Sequence, residues 1–185
     1  MEVKHPQVGI CGLSCKLCPM YQTDSKSKCE GCKSEARMSV GCPFITCAIK
    51  KKGIEFCWEC NESANCEKWN KHREIGKERD SFKSYQKLED DISFVQINGI
   101  EQFVELQNVK EKILKEMLDS FNEGRSKIYY CNASTVIEVE ELEDAVERAK
   151  KDSHGLDIKS KAKVLHKILD EIAETKKYNL RLRKG

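Results

Sequence analysis

The residues best suited to chemistry in this chain are its cysteines. The 185 residues include 11 Cys, and all but Cys131 fall between residues 11 and 66. Three pairs have the spacing C-x2-C: Cys15 with Cys18, Cys29 with Cys32, and Cys57 with Cys60. At this spacing one tight turn directs two sulfur atoms toward the same tetrahedral ion. Repetition of the pair therefore predicts metal thiolate sites in the first third of the chain.

The competing use of so many thiols is a disulfide framework. Disulfides persist in oxidising compartments, whereas residues 1–6 lack the apolar segment of a secretory signal. The longest run without a charged residue, 128–137, is about half as long as a membrane-spanning helix needs. We therefore expect a cytoplasmic protein without membrane segments, in which the thiols stay reduced and bind metal.

The candidate metal ligands are Cys11, Cys15, Cys18, Cys29, Cys32, Cys42, Cys47, Cys57, Cys60 and Cys66. Two closed four-thiolate zinc sites would use all but two of them. The first predicted set joins the two C-x2-C pairs that lie closest in sequence: Cys15, Cys18, Cys29 and Cys32. The second set would be drawn from Cys42, Cys47, Cys57, Cys60 and Cys66. Cys11 could replace a ligand in either set, and the surplus leaves open bridging thiolates, a third site that uses His72, or free thiols.

Zinc, with two ions bound, is the predicted metal, and an iron–sulfur cluster or redox protein is the alternative. Cys11-x3-Cys15-x2-Cys18-Pro19 has the compact, proline-terminated arrangement of iron–sulfur loops. Cys57-x2-Cys60 could also act as a redox dithiol. That role needs a thioredoxin-like strand–helix–strand setting, whereas other cysteines surround this pair, so metal ligation is favoured.

The N-terminal third resembles a known family in its cysteine pattern. The segments that carry the resemblance are Cys11-Gly12-Leu13-x-Cys15-x2-Cys18-Pro19, Cys29-x-Gly31-Cys32, Cys47-Ala48, and Lys52-Gly53-Ile54-Glu55-Phe56-Cys57-x2-Cys60 followed by Cys66. They are similar to the cysteine-rich prokaryotic family of domain of unknown function 3795. Members often have Pro before the last cysteine, where this chain has Asn65. The family has no established activity, so the resemblance implies a metal-binding protein and says nothing of a substrate.

The elements that position the cysteines are expected to be short. We predict a Cys-rich module over 1–72, with ribbon-like hairpins and short helices near 44–50 and 64–72. Glycines adjacent to the cysteines, Gly12, Gly31 and Gly41, are expected to adopt positive φ where the backbone wraps a metal. So small a module buries little apolar surface, and metal binding would supply the missing folding free energy.

From residue 73 onward the sequence predicts a mainly helical domain, 73–185. Apolar residues at 3–4 residue spacing predict helices over 81–92 and from a capping box at Asn98 to a stop at Gly124. Further helices should open at Thr135 and at Asp157. Residues 127–139 fit either a strand or a buried helix, and the alternating residues 178–183 fit a short strand or a docked tail.

The predicted fold class is therefore mainly α, with an irregular metal-stabilised module, zinc-ribbon- or knuckle-like, packed on the helical domain. A small α+β arrangement is the alternative. The stripes of apolar residues on the helices are interpreted as core.

Several function classes lack support in the sequence. No G-x-G-x-x-G, P-loop or H-E-x-x-H motif occurs, and acidic pairs lie on helical segments that are dense in both signs of charge. We therefore predict no catalytic or nucleotide-binding residues, and an enzyme would require a metal with one open coordination position. Net charge is +2, so a strongly basic face for nucleic acid is not expected either, and a nucleic-acid-binding zinc module is the lesser alternative. The remaining expectation is a partner protein or small ligand, bound in the cleft between module and helices.

Overall fold

The structure is a computed structural model that describes residues 2–26, 28–39 and 42–184. Its described residues form eight α-helices: α1 (Glu35–Ser39), α2 (Pro43–Ile45), α3 (Glu67–Glu78), α4 (Leu88–Asn98), α5 (Ile100–Phe121), α6 (Lys127–Val136), α7 (Val139–Asp152) and α8 (Ile158–Lys176). A π-helical turn, Thr46–Lys52, continues α2, and single 3-10 turns occupy Cys57–Glu59 and Ser63–Asn65. The prediction of a mainly helical protein is confirmed.

The N-terminal module contains turns in place of the predicted ribbon-like hairpins. Within the described ranges there is no β-strand, and one isolated antiparallel bridge joins Val8 to Ser14. Turn hydrogen bonds fold this segment, such as the backbone N–H of Gly12 donating to Gly9 and that of Cys18 donating to Cys15. The α+β alternative therefore has no counterpart in the part of the chain that the structure describes.

The helical core is built around α5, which at 22 residues is about 33 Å long. Its apolar stripe buries Phe103, Ile113, Leu114, Met117 and Phe121. Helices α6, α7 and α8 pack on this stripe, and α7 and α8 also pack closely on each other. The long amphipathic helix predicted from the sequence is thus the central element of the fold.

Several predicted boundaries change in the structure. The helix predicted over 81–92 begins only at Leu88, because residues 79–87 form a linker held by Asp80. The capping box at Asn98 is not formed; Asn98 ends α4, and Gly99 (φ +87°) turns the chain into α5. The helix that was expected to open at Thr135 begins instead at Val139, after α6 has ended.

Other expectations are met. The ambiguous segment 127–139 is mostly helix, since α6 spans Lys127–Val136, and every residue from Tyr130 to Val136 is buried. Asp157 caps α8, its carboxylate accepting hydrogen bonds from the backbone N–H groups of Lys159 (2.9 Å) and Ser160 (3.2 Å). Residues 178–183 form a docked tail. None of the described helices is both long and apolar enough to span a membrane.

The N-terminal module packs on the helices through apolar side chains. Val8 and Phe56 contact Val95 of α4 and Phe103 of α5. Leu17 joins the main helical core. The module is therefore built onto the surface of α4 and α5, with α3 passing through the predicted boundary at residues 72 and 73.

Candidate metal centre

Six of the ten predicted ligands line one cavity of about 640 Å³. They are Cys11, Cys15, Cys18, Cys29, Cys32 and Cys42. The structure thus brings together the whole first predicted set, although Cys29 and Cys32 follow the first pair by more than ten residues. All eleven cysteines are free thiols. Cys131, which is not among the ten, is buried in the helical core, and Cys18 lies near enough to act on it electrostatically.

The closest approach in this first group is between Cys15 and Cys32. The backbone N–H of Cys32 donates to Cys15 Sγ at 3.4 Å, and the Cys32 thiol also hydrogen-bonds to Cys15. These bonds lower the pKa of Cys15 against the opposing effect of burial. The same contact, together with burial, raises the pKa of Cys32. The pair thus favours a thiolate at Cys15, which is the ionisation state that binds a metal.

Two glycines shape the backbone here as predicted. Gly12 has φ +94° and Gly31 has φ +108°, in the region that side chains rarely adopt. A Cβ on Gly31 would lie 3.0 Å from the Pro6 carbonyl oxygen and 3.7 Å from Cys15 Sγ. The third predicted glycine, Gly41, lies outside the described residues.

A second group of thiols surrounds Cys57. Burial raises the pKa of Cys57 to about 12, and four further thiols lie near enough to raise it as well: Cys11, Cys66, Cys47 and Cys60. Cys47, Cys57, Cys60 and Cys66 all belong to the second predicted set. The fifth member, Cys42, lines the cavity of the first group and also a second cavity that it shares with Cys47.

Cys11 lies between the two groups. Its Sγ would be 3.5 Å from a Cβ on Gly9, and Cys32 Sγ would be 3.8 Å from the same position. Cys11 also lies near enough to Cys57 to raise the pKa of that thiol. This placement agrees with the expectation that Cys11 could serve either set. Among residues 2–26, 28–39 and 42–184, however, no group of three or more His, Cys, Asp or Glu side chains is arranged so that it could hold a metal ion.

Buried cations accompany the thiols. Lys83 is 2% exposed, and its Nζ donates to the Ser14 carbonyl oxygen. Lys33 has a fully buried side chain that pairs with Glu55 at 2.9 Å and lies 3.7 Å from the Phe56 ring centroid. Sequence reasoning missed these residues, because no local pattern separates a buried lysine from the many solvated ones.

The remaining wall of the cavity is aromatic and carries unpaired polar atoms. Phe44 and Tyr85 line it, and both rings also contact the His72 ring, at centroid distances of 5.1 and 5.4 Å. His72 Nε2 and Ser14 Oγ are buried and find no hydrogen-bond partner among the described residues. His72 therefore lies beside the first group of thiols, and burial lowers its pKa, which favours the neutral imidazole.

The chain was also compared with known proteins. No curated protein and no solved structure matches it significantly. Residues 7–71, about a third of the chain, match the family described as Protein of unknown function (DUF3795), which confirms the resemblance predicted from the cysteine pattern.

Proposed function

We propose that the chain is a metal-binding protein in which two structural zinc ions, each held by four thiolates, stabilise the N-terminal module. The first ion would be held by Cys15, Cys18, Cys29 and Cys32. The second would be held by Cys47, Cys57, Cys60 and Cys66. The observation that carries the proposal is the division of the thiols into one group around Cys15 and another around Cys57.

Elementary energetics support this reading. Thiols gathered from distant parts of a segment poor in regular structure repel one another once they ionise, and burial opposes their ionisation. A bound zinc ion reverses both effects, because it ligates the thiolate form and contributes its binding free energy to folding. The thiols would have to turn inward to reach the Zn–S distance of about 2.3 Å.

The test is a metal analysis of protein purified without oxygen and without chelators. We expect two zinc ions per chain, with X-ray absorption showing four sulfur neighbours for each. Cys29→Ser should lose one ion and Cys60→Ser the other, whereas Cys131→Ala, the matched variant outside both sets, should keep both. Folded protein that contains no transition metal, or unchanged zinc content in both serine variants, would contradict the proposal.

An iron–sulfur cluster is the second candidate, and one observation favours it. The first six thiols line a single cavity of about 640 Å³, more room than one four-coordinate zinc ion fills. The loop Cys11-x3-Cys15-x2-Cys18 would supply three of the ligands. The same preparation separates the two metals, since a cluster would give brown protein with stoichiometric acid-labile sulfide.

The proposed role of the metal module is to form one side of a binding site for a partner protein or small ligand. The cavity lies where the module faces Phe82, Lys83 and Tyr85 of the linker and His72 of α3. Its volume falls within the range of small-molecule sites, and its lining combines apolar rings with a few polar groups, as such sites usually do. No acid–base pair accompanies it among the residues that line it, so binding rather than catalysis is proposed.

A further inference from the structure

Lys83 is a buried cation beside the first group of thiols. Its side chain lines the thiol cavity, and the whole residue is 2% exposed. Its Nζ donates a hydrogen bond to the neutral carbonyl oxygen of Ser14. Within the described residues it forms no ion pair. Burial of an ammonium group costs free energy unless an opposite charge compensates it, so we expect an anionic group close to Lys83.

The ionisable groups near Lys83 are mainly thiols, since its side chain shares a cavity with six cysteines and its Nζ donates to the carbonyl oxygen of Ser14, the residue before Cys15. It acts electrostatically on Cys11, Cys15 and Cys32, and also on Cys131 in the helical core. One carboxyl group, Asp91, is also within its range, but Lys110 acts on that group more strongly. Burial raises the pKa of Asp91 to about 7, and among the described residues this carboxyl group forms no ion pair with Lys83.

The other lysines near the thiols are already neutralised. Lys33 pairs with Glu55 at 2.9 Å. Lys52 donates to Cys60 Sγ at 3.2 Å but also to the exposed carboxylate of Glu62 at 2.6 Å. Lys83 is therefore the buried lysine beside the thiols whose charge remains uncompensated.

We infer that Lys83 is the counter-ion of the first thiolate set, and that its charge sets the affinity of that set, and not of the second set, for a bound metal. This inference rests on the proposed function, because a zinc ion with four thiolates carries a net charge of −2. The linker 79–87 would then have a defined purpose, which is to place one ammonium group beside the buried complex.

The chain offers a matched control for this inference. Lys110 is 4% exposed, donates to the Ile137 carbonyl oxygen at 2.8 Å and likewise forms no ion pair among the described residues. Its charged neighbours are three carboxyl groups and the ammonium group of Lys87, and none is a thiol. Lys83 and Lys110 are thus alike in burial and hydrogen bonding and both lie near Asp91, but of the two only Lys83 faces thiols.

The experiment measures zinc affinity of the full chain by competition with a chromophoric chelator, under reducing conditions and without oxygen. The variants are Lys83→Met, Lys83→Gln and Lys110→Met, with wild type as reference. Lys83→Gln keeps an N–H donor but removes the charge, so it separates the electrostatic role from the hydrogen bond. We expect both Lys83 variants to bind one of the two zinc ions at least about tenfold more weakly, the effect of removing a unit charge beside a buried dianion.

The affinity measurements test the inference about Lys83 and the proposed function separately. A wild-type chain that binds two zinc ions, with Lys83 variants that hold both as tightly, would overturn the inference and leave the proposed function intact. An equal loss in Lys110→Met would also overturn it, since the effect would then come from any buried lysine. A wild-type chain that binds no zinc would overturn the proposed function and the inference together.

Discussion

The contact between Asp80 and Arg183 fixes the linker that presents Lys83 and Tyr85 to the thiol cavity. Arg183 Nη2 and Nε donate to the two oxygens of Asp80 at 2.8 and 3.1 Å, and the backbone N–H of Arg183 donates to it at 2.8 Å. The backbone N–H of Tyr85 donates to the same carboxylate at 2.8 Å. The Asp80 side chain is fully buried, whereas that of Arg183 is 21% exposed.

We predict that Arg183→Met destabilises the protein by about 2–4 kcal/mol. Removal of one partner of a buried pair costs about 3–5 kcal/mol because the other charge stays uncompensated, and the partial exposure of Arg183 reduces that figure. Asp80→Asn should cost less, since Arg183 keeps the carbonyl oxygens of Gly76 and Lys77 as acceptors. The double variant should cost less than the sum of the two single ones.

Urea unfolding of the metal-loaded protein measures these free energies. The control is Arg148→Met, which removes an ion pair of 3.4 Å with Asp144 in which both side chains are about half exposed. Such exposed pairs contribute about 0–1 kcal/mol. If Arg183→Met and Arg148→Met changed the unfolding free energy equally, the reasoning about the buried carboxylate would be refuted.

The pH dependence has a definite sign. Burial by itself would raise the pKa of Asp80, but the hydrogen bonds from Arg183 and Tyr85 outweigh it and hold this pKa below its ordinary 3.8. A group whose pKa is lower in the folded state stabilises the fold above its unfolded pKa. The stability difference between wild type and Asp80→Asn should therefore be constant near neutral pH and shrink as the pH falls below about 4.

Two further predictions concern the module and its packing. Removal of metal with a strong chelator should expose the amides of residues 7–66 to hydrogen exchange, while the amides of α5 stay protected because the helical core does not depend on the thiols. Loss of protection throughout the chain would contradict this prediction. Gly12→Ala should destabilise by more than Gly155→Ala in thermal unfolding, although both glycines have positive φ, because a Cβ on Gly12 would lie 3.1 Å from the Trp58 ring and 3.3 Å from Ile92. A Cβ on Gly155 would meet nothing within 4 Å, and equal destabilisation would show that packing at Gly12 is unimportant.

Much of the fold could be predicted from local sequence. The 3–4 residue spacing of apolar residues predicted α5 and its buried face, and Asp157 predicted the start of α8, because helix periodicity and N-capping act over a few residues. Residues 127–136 could not be assigned in this way, since a helix buried on nearly all sides has no polar face to reveal its period. The failure over 81–87 has a different cause, a hydrogen-bonded contact with Arg183 at a sequence separation of 103 residues.

For the candidate site, the sequence by itself determined the chemistry: the number of thiols, their C-x2-C spacing and the resemblance that residues 7–71 bear out. The tertiary structure decided which thiols are neighbours: it places Cys42 in the cavity of the first group as well as in one shared with Cys47, and it places Cys47, Cys60 and Cys66 near Cys57. It also decided that Lys83 faces thiols whereas Lys110 does not. The physical reason is that ligand type is a property of each residue, whereas proximity and burial arise only when distant segments pack together.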